Sequence, residues 1–306
     1  MLRISEIKLD LDCDFNDIEV ATAKALKIER KRILKTEIYK QSVDCRKGEV
    51  KFVFTVDVTV DGDEEKIAMS LDSGKVKVCE KYAYTMPQSN RKSTLPPVIA
   101  GFGPAGMFAG LILARSGHCP VIIERGSDID KRTNDVNNFW TNRDLNEDSN
   151  IQYGEGGAGT FSDGKLTTGI KDSRCRFVFE EFVNHGAPED ILTNAKPHIG
   201  TDKLKATVKA IREEIISLGG AVLFDTQLTN IIVANGFIHG ITFRDKYGKE
   251  KDIETDALIL SIGHSASDTI EMLYNKGINM MQKPFSIGAR IEHPQDFINT
   301  VQYGEY

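Results

Sequence analysis

Residues 98–106, with the sequence VIAGFGPAG, constrain the fold of this chain more than any other segment. Three apolar residues lead directly into a Gly-x-Gly-x-x-Gly motif, and an apolar helical pattern follows. In such a motif Gly101 permits a tight turn, Gly103 lets the backbone approach a pyrophosphate, and Gly106 lets the helix pack on the strand. The helix N-terminus offers free N–H groups and a positive dipole end to phosphates. The pattern predicts the first β-α-β unit of a Rossmann-like domain that binds a dinucleotide.

The sequence after the motif continues the same pattern. Gly110 extends the glycine series, and residues 121–123 (VII) predict a second strand that ends at Glu124. A carboxylate at that position accepts hydrogen bonds from the adenosine ribose, and it would repel a 2′-phosphate, which argues against NADP at this site. The alternative interpretation is a glycine-rich turn in an unrelated α/β protein.

Details around the motif favour one dinucleotide over the others. The fourth glycine, the Pro-Ala pair inside the motif and the Glu-Arg-Gly ending at 124–126 resemble FAD proteins of the glutathione-reductase type more than NAD dehydrogenases. The cofactor-binding residues in this part of the chain are then Gly101, Gly103, Pro104, Ala105, Gly106, Glu124 and Arg125. An NAD-binding dehydrogenase is the second hypothesis.

A second glycine-rich segment, residues 153–169 (YGEGGAGTFSDGKLTTG), does not suit a regular helix or strand. It suits a loop that lies close to a ligand, and a flexible loop is the alternative. In FAD proteins of the type named above, the corresponding segment passes beside the pyrophosphate and the isoalloxazine ring. The resemblance therefore implies further cofactor contacts, and useful donors and charges are interleaved among the glycines. The predicted contacts are Gly156, Gly157, Gly159 and Thr160; the interleaved polar residues are Thr160, Ser162, Asp163 and Lys165.

The catalytic residues are unknown, and two weak candidates are Lys165 and His264. Lys165 could compensate the negative charge of a reduced flavin, since a cation near flavin N1 stabilises it; a surface lysine is the ordinary alternative. Residues 257–263 resemble the apolar strand that ends in glycine and returns under the cofactor in such proteins, and the resemblance implies Gly263 as a further contact. His264 follows at the carboxyl end of that strand, where open α/β sheets bind ligands. Ser265 is either part of this site or the cap of the next helix.

The remaining pattern predicts the rest of the domain. Residues 221–224 predict a third parallel strand, and segments near 227–233, 237–244 and 251–255 predict a β-meander. We therefore expect an α/β, three-layer FAD/NAD(P)-binding Rossmann-like domain over residues 91–277, with the glycine-rich loop 153–169 inserted.

Residues 1–90 predict a small separate α+β domain of ferredoxin-like βαββ type. Asn16 and Glu19 resemble a capping box at a helix start, and residues 50–60 alternate with the period of a half-buried strand. A further strand over 76–84 is expected to pair with this one across the turn at 61–63. Residues 86–97 have the composition of a linker.

Residues 24–47 contain nine Lys or Arg residues and three acidic residues. A basic face of this kind favours RNA binding where aromatic residues are interleaved, and here only Tyr39 is present. A solvated surface is therefore the preferred interpretation, and no nucleic-acid partner is expected. An RNA-linked, non-enzymatic module is the third hypothesis.

Six segments together resemble a family of bacterial proteins described as uncharacterised FAD-dependent dehydrogenases. The resemblance covers nearly the whole chain. It implies FAD as the cofactor, with NAD(P)H as a candidate electron donor, and it leaves the small-molecule substrate open. The segments are AGFGPAGMFAG, ERGSDIDKR, GEGGAGTFSDGKLTTG, KPHIGTDKL, SIGHSASDT and KPFSIGARIEHPQ.

FAD proteins of this type close the cofactor domain with a later Gly-Asp segment and a helix, and no such segment follows Gly263. We therefore expect a chain that is the N-terminal portion of a longer flavoprotein, with residues 278–306 opening an incomplete C-terminal or substrate domain.

Composition excludes several other classes. The five cysteines form no CxxC pair and no zinc-ligand spacing, so no metal site and a reducing cytoplasmic location are expected. The net charge of −6 is spread over a sequence of mixed sign. Residues 93–114 carry no charge over about the length of a membrane span, but their glycines and prolines predict a buried strand and helix instead, and no membrane association.

Overall fold

The computed structural model describes residues 1–46, 48–71, 73–161 and 164–304. The N-terminal unit is a four-stranded antiparallel sheet of order β2-β3-β1-β4 with two helices. Its core is formed by the inward-facing residues of β1 and β3, such as Ile4 and Val56, together with Leu26 from the first helix. The elements are β1 (Leu2–Leu9), α1 (Phe15–Leu26), β2 (Ile33–Asp44), β3 (Lys51–Val60), α2 (Glu64–Ser70) and β4 (Val76–Val78).

Two local predictions in this unit were wrong. Helix α1 is capped by Asp14, whose carboxylate accepts the Asp17 N–H at 2.9 Å while Asp17 accepts the Asp14 N–H at 3.0 Å. The capping box thus lies two residues before Asn16, because an aspartate pair closes it as well as the predicted Asn/Glu pair would.

The last strand, β4, pairs with β1 and not with β3. Asp63 accepts the Lys66 N–H at 3.0 Å and so begins helix α2 at the predicted turn. After β3 the chain therefore forms helix α2 and then adds β4 beside β1 at the edge of the sheet. This second helix was absent from the predicted βαββ pattern. Tyr84 lies outside the strand and stacks on Phe177, with ring centroids 3.9 Å apart.

The rest of the chain builds a parallel sheet of order β11-β5-β6-β7 and an antiparallel meander of order β10-β9-β8. Its elements are β5 (Val98–Ala100), α3 (Pro104–Arg115), β6 (Val121–Ile123), α4 (Ile129–Asn142), α5 (Arg174–Asn184), α6 (Thr201–Ser217), β7 (Ala221–Leu223), β8 (Gln227–Ala234), β9 (Phe237–Arg244), β10 (Glu250–Glu254), β11 (Leu258–Leu260), α7 (Ser267–Asn275) and α8 (Gln295–Tyr303). Short 3₁₀ turns occur at Arg30–Arg32, Ala158–Phe161 and Glu189–Leu192.

Other elements cover both faces of the parallel sheet, so this part of the chain has three layers. Ile99 and Ile122 face a cluster contributed by α3, α5 and α6. Their neighbours Val98 and Ile123 face the opposite way, against the meander and α7. Successive strand residues point to opposite faces, so a strand covered on both sides reads as a continuous apolar run. The predicted α/β architecture, with its parallel sheet and meander, is therefore present, while the predicted domain boundaries stay predictions.

The glycine that extends the motif has a packing role. A methyl group on Gly110 would lie 2.5 Å from Ile122 Cδ1 and 3.3 Å from Ile215 Cδ1. Glycine therefore allows α3 to pack closely on both β6 and α6. The uncharged residues 93–114 fold as β5 and α3 with the segment before them, and among the helices of the described residues none is long and apolar enough to cross a bilayer.

Candidate functional site

A cavity of about 370 Å³ lies at the carboxyl ends of β5, β6 and β11. Its walls are the turn after β5, the start of α3, the residues after β6, the glycine-rich segment and the start of α7. The predicted site residues that line it are Gly101, Gly103, Pro104, Ala105, Glu124, Arg125, Gly157, Gly159, Gly263 and His264. The structure thus brings together residues that are up to 163 positions apart, from Gly101 to His264.

Four predicted residues lie outside the lining of this cavity: Gly106, Gly156, Thr160 and Lys165. Gly106, Gly156 and Thr160 are buried instead. A methyl group on Gly156 would collide with Thr160 Oγ1 and would lie 3.2 Å from Val208, so this glycine faces helix α6 and not the cavity. Lys165 is exposed and forms an isolated antiparallel bridge with His198. Ser162 and Asp163 lie outside the described residues.

The glycines at 101 and 106 are required by the protein itself. Gly101 has φ +99°, a conformation that L side chains rarely adopt, and a methyl group there would collide with the carbonyl of Ser261, which directly follows the neighbouring strand β11. A methyl group on Gly106 would collide with the carbonyl of Gly101. The two glycines therefore let the turn, the helix and β11 approach one another.

Gly103 differs from both. Its φ is −73°, which any residue can adopt, and a methyl group on it would lie 3.7 Å from Gly157 Cα, an ordinary van der Waals distance. The protein alone therefore does not require glycine at this position, which lines the cavity at the N-terminus of α3. Pro104 follows at the first helical position, and the N–H groups of the first turn have no intrahelical acceptor.

Glu124 connects three segments around the cavity. Its carboxylate accepts the N–H of Phe102 at 2.7 Å, of Gly126 at 2.9 Å and of Gly154 at 2.8 Å. The side chain is buried and lines the cavity. A carboxylate offers about four lone-pair sites, so three backbone donors leave room for a hydroxyl donor. The predicted contact with ribose stays a prediction, and the sequence did not show this second, architectural role.

Arg125 forms an ion pair that sequence reasoning missed. Its guanidinium donates to Asp268 at 2.7 and 3.0 Å and to Thr269 Oγ1 at 3.1 Å, and it lies 4.7 Å from the ring centre of Tyr153. Burial is the largest single effect and raises the pKa of Asp268, but the hydrogen bond and charge of Arg125, together with backbone hydrogen bonds such as that from Thr269, lower the pKa overall. Asp268 is 143 residues from Arg125, so nothing local in the sequence indicated the pair.

The glycine-rich segment lies against the first glycine motif. The Gly156 N–H donates to the Phe102 carbonyl at 2.9 Å, and the Glu155 N–H donates to the Ser127 carbonyl at 3.1 Å. A methyl group on Gly157, which has φ +69°, would lie 2.9 Å from Gly103 Cα. These contacts give residues 154–157 a defined path along the cavity wall.

His264 is exposed at the edge of the cavity, where its Nε2 lies 3.3 Å from Ser265 Oγ. The helix-capping alternative for Ser265 was wrong, because α7 has Ala266 at its N-cap and no side-chain cap bond. Among the described residues there is no group of three His, Cys, Asp or Glu side chains that could hold a metal ion.

The basic face of the N-terminal unit carries carboxylates beside its cations. Arg30 lies 2.6 Å from Glu19, and Lys31 lies 2.6 Å from Glu29. Arg32 donates to the Asp61 carbonyl at 2.8 Å. These partners lower the positive field of the face, while its relation to nucleic acid stays a prediction; Lys47 lies outside the described residues.

Comparison with known proteins identifies relatives without an established function. Residues 1–59 match a family model described as a domain of unknown function (DUF8436). Over 99% of its length the chain is 45% identical to an uncharacterised protein of Clostridium beijerinckii. The chain spans 56% of the length of this curated relative.

Several solved structures share a distant likeness. THI4 of Thermovibrio ammonificans aligns over 60% of this chain and 64% of its own, with 17% identity and a TM-score of 0.40. The Bacillus halodurans glycerol-3-phosphate dehydrogenase complexed with FAD aligns over 59% and 36%, with 13% identity and a TM-score of 0.35. The flavin-dependent monooxygenase PieE, in complex with FAD and substrate, aligns over 59% and 32%, with 16% identity and a TM-score of 0.34. Scores this low support no argument about function.

Proposed function

We propose that this chain binds FAD in the cavity at Gly103 and forms part of a FAD-dependent oxidoreductase that acts on a small-molecule substrate. The observation that carries the proposal is Gly103. It lines the cavity at a helix N-terminus, and the surrounding protein has room for a methyl group there. A glycine that the fold does not need is explained by a ligand whose phosphates approach the backbone closely.

The surrounding residues fit the parts of such a cofactor. Glu124 has acceptor capacity for the adenosine ribose. The N–H groups at the start of α3 suit the pyrophosphate, and Gly263 and His264 also line the cavity. FAD, when bound, supplies the hydride-transfer chemistry, and these residues bind and orient it. NAD(P)H is a candidate electron donor.

The cavity volume agrees with the nucleotide end of FAD. Ligand sites in proteins measure about 300–1,000 Å³, and this cavity of about 370 Å³ is at the lower end of that range. We assign it to the adenosine-pyrophosphate part of FAD. The β-α-β-β-α-β order of the N-terminal unit supports a ferredoxin-like assignment for that unit.

The proposal is tested by FAD titration of the purified chain and of Gly103→Ala. The added methyl group occupies the cavity without a clash, so we expect the variant to fold and to lose at most about 1 kcal/mol of stability at the helix cap. We expect its affinity for FAD to fall at least tenfold, which corresponds to about 1.4 kcal/mol. Flavin absorbance after gel filtration reports binding, and circular dichroism reports folding.

Gly169→Ala is the matched control. A methyl group there meets nothing within 4 Å, and Gly169 does not line the cavity, so we expect wild-type affinity. A wild-type chain that retains no flavin and takes up no added FAD would contradict the proposal. A colourless protein that binds NADH, with binding lost in Gly103→Ala, would support the NAD-binding alternative.

A further inference from the structure

We propose that Arg132 is a positioning residue that holds residues 150–155, one wall of the cavity, in the shape that binds the cofactor. Glu155 and Arg212 help to fix the same segment. The consequence for FAD rests on the function proposed above, whereas the consequence for the wall itself does not.

Arg132 is the largest fully buried side chain among the described residues. From the first turn of α4 its guanidinium donates to three backbone carbonyls: Nε to Asn150 at 2.9 Å, Nη1 to Glu155 at 2.6 Å and Nη2 to Ile151 at 3.0 Å. The guanidinium is planar, and its donors point in fixed directions. Three carbonyls from one short segment must therefore keep a single arrangement to be satisfied together.

The segment depends on these bonds because it belongs to no helix or strand. Buried carbonyl groups outside regular structure need a donor from elsewhere. Gly154 has φ +117°, and a methyl group on it would collide with Arg132 Cδ. The aliphatic part of Arg132 thus occupies the space that a side chain at position 154 would need. Arg132 therefore requires glycine at position 154.

Glu155 ties the same segment to two helices. Its Oε2 accepts the Ile129 N–H at 2.7 Å, at the start of α4, and Arg212 Nη1 at 2.9 Å, from α6. The side chain is fully buried, and its Oε1 has no hydrogen-bond partner among the described residues.

The charges of this cluster act on one another through the protein interior. Burial lowers the pKa of Arg132 to about 10, so it stays cationic near neutral pH. Burial raises the pKa of Glu155 to about 7; Arg212 lowers it, and Asp128 and Asp130 raise it. The negative charges of Glu124 and Glu155 act against burial and raise the pKa of Arg132.

Gly154 connects residues 150–155 to other residues that line the cavity. The Gly154 N–H donates to Glu124, and the Gly157 N–H donates to the Gly154 carbonyl at 2.9 Å. Glu124, Gly154 and Gly157 all line the cavity. Loss of the Arg132 bonds should therefore displace both the carboxylate partner of the ribose and the glycine opposite Gly103.

The test measures amide hydrogen exchange of residues 154–157 in the FAD-free protein, and FAD affinity in a separate titration. Arg132→Met removes all three bonds. Arg132→Lys keeps the charge and much of the stem but replaces the planar fork by a single ammonium, so it guards against a variant that fails to fold. We expect exchange at 154–157 to be at least tenfold faster in Arg132→Lys, and FAD affinity to fall at least tenfold.

Arg115→Met is the matched control. Arg115 also pairs with carboxylates, at 2.6 Å from Glu214 and 2.8 Å from Glu181, but it does not line the cavity. We expect it to lower the unfolding midpoint while exchange at 154–157 and FAD affinity stay at wild-type values. A variant Arg132→Lys with wild-type exchange and affinity overturns the proposal. If the wild type binds no FAD, the proposed function fails, and the exchange measurement still decides the role of Arg132.

Discussion

Single residues of the same type serve different physical purposes in this site. Gly101 is needed because its φ of +99° and the nearby Ser261 carbonyl exclude a side chain. Gly103 has neither restriction. The spacing of the motif predicted both glycines, but only the three-dimensional neighbours separate a glycine that the fold needs from one that it does not need. The same holds for Glu124, whose position was predicted while its three backbone donors were not.

Glu155 leads to a prediction about pH and stability. Its pKa of about 7 in the folded chain is above the ordinary value of 4.5 because the carboxyl is buried. The folded state therefore holds this proton more tightly than the unfolded state. The contribution of protonated Glu155 to the free energy of unfolding is fully present below pH 4.5 and is lost as the pH rises to about 7. This loss is at most about 3 kcal/mol.

Glu155→Gln should remove this dependence, so its unfolding free energy should fall less than that of the wild type between pH 4.5 and 7. Denaturant unfolding at several pH values measures the difference. Glu214→Gln is the comparison of opposite sign, since hydrogen bonding to Arg115 lowers the pKa of Glu214 and its contribution is lost as the pH falls. Parallel pH profiles for Glu155→Gln and wild type would contradict the assignment.

At the level of elements, the long strands and the helix of the motif were predictable, and their ends and partners were less so. Strand β3 alternates with period two, and β5 with α3 follows the glycine motif, so both could be identified from local pattern. The strand pairing of β4 could not, because the pattern of a strand does not specify which edge it joins. The cap of α1 was misplaced because Asp14, Asn16 and Asp17 lie close together, and the side chain of each can accept a backbone N–H.

The cap gives a prediction at this scale. Asp14→Ala removes the acceptor for the Asp17 N–H and should lower the unfolding free energy of the N-terminal unit by about 1 kcal/mol. Asn16→Ala, at the position first expected to be the cap, should change it by less than half of that. Thermal unfolding followed by circular dichroism compares the two variants. A larger loss in Asn16→Ala would return the cap to the predicted position.

At the level of the whole molecule, the chain contains separate hydrophobic clusters. The N-terminal cluster around Leu26 and Val56 shares no residue with the clusters on the two faces of the parallel sheet. Backbone contacts join the units: the Gln41 N–H donates to the Thr193 carbonyl at 2.7 Å, and the Ala195 N–H donates to the Gln41 carbonyl at 2.8 Å. Because few such bonds join the large, separate hydrophobic cores, we expect the N-terminal unit to unfold with limited effect on the cavity.

Leu26→Ala tests this expectation. Leu26 is 2% exposed, and its truncation should cost about 2–5 kcal/mol within the N-terminal core. We expect the unfolding transition of that unit to shift to lower temperature while FAD binding at the cavity is unchanged. Leu34→Ala, at a side chain that is 66% exposed, is the control and should change neither. Loss of FAD affinity in Leu26→Ala that follows its loss of stability would show that the two units are coupled.

The β5-α3-β6 unit, the third parallel strand and the meander could be predicted from the sequence, as could the positions of Gly101, Gly103 and Glu124. These features follow from local pattern, since period, glycine spacing and apolar runs act over a few residues. The sequence did not indicate that Arg125 pairs with Asp268, that Arg132 donates to the backbone of residues 150–155 or that Gly156 faces α6; the three-dimensional structure shows these contacts. Such contacts join residues that are distant in the chain, and they depend on which surfaces the packed layers bring together.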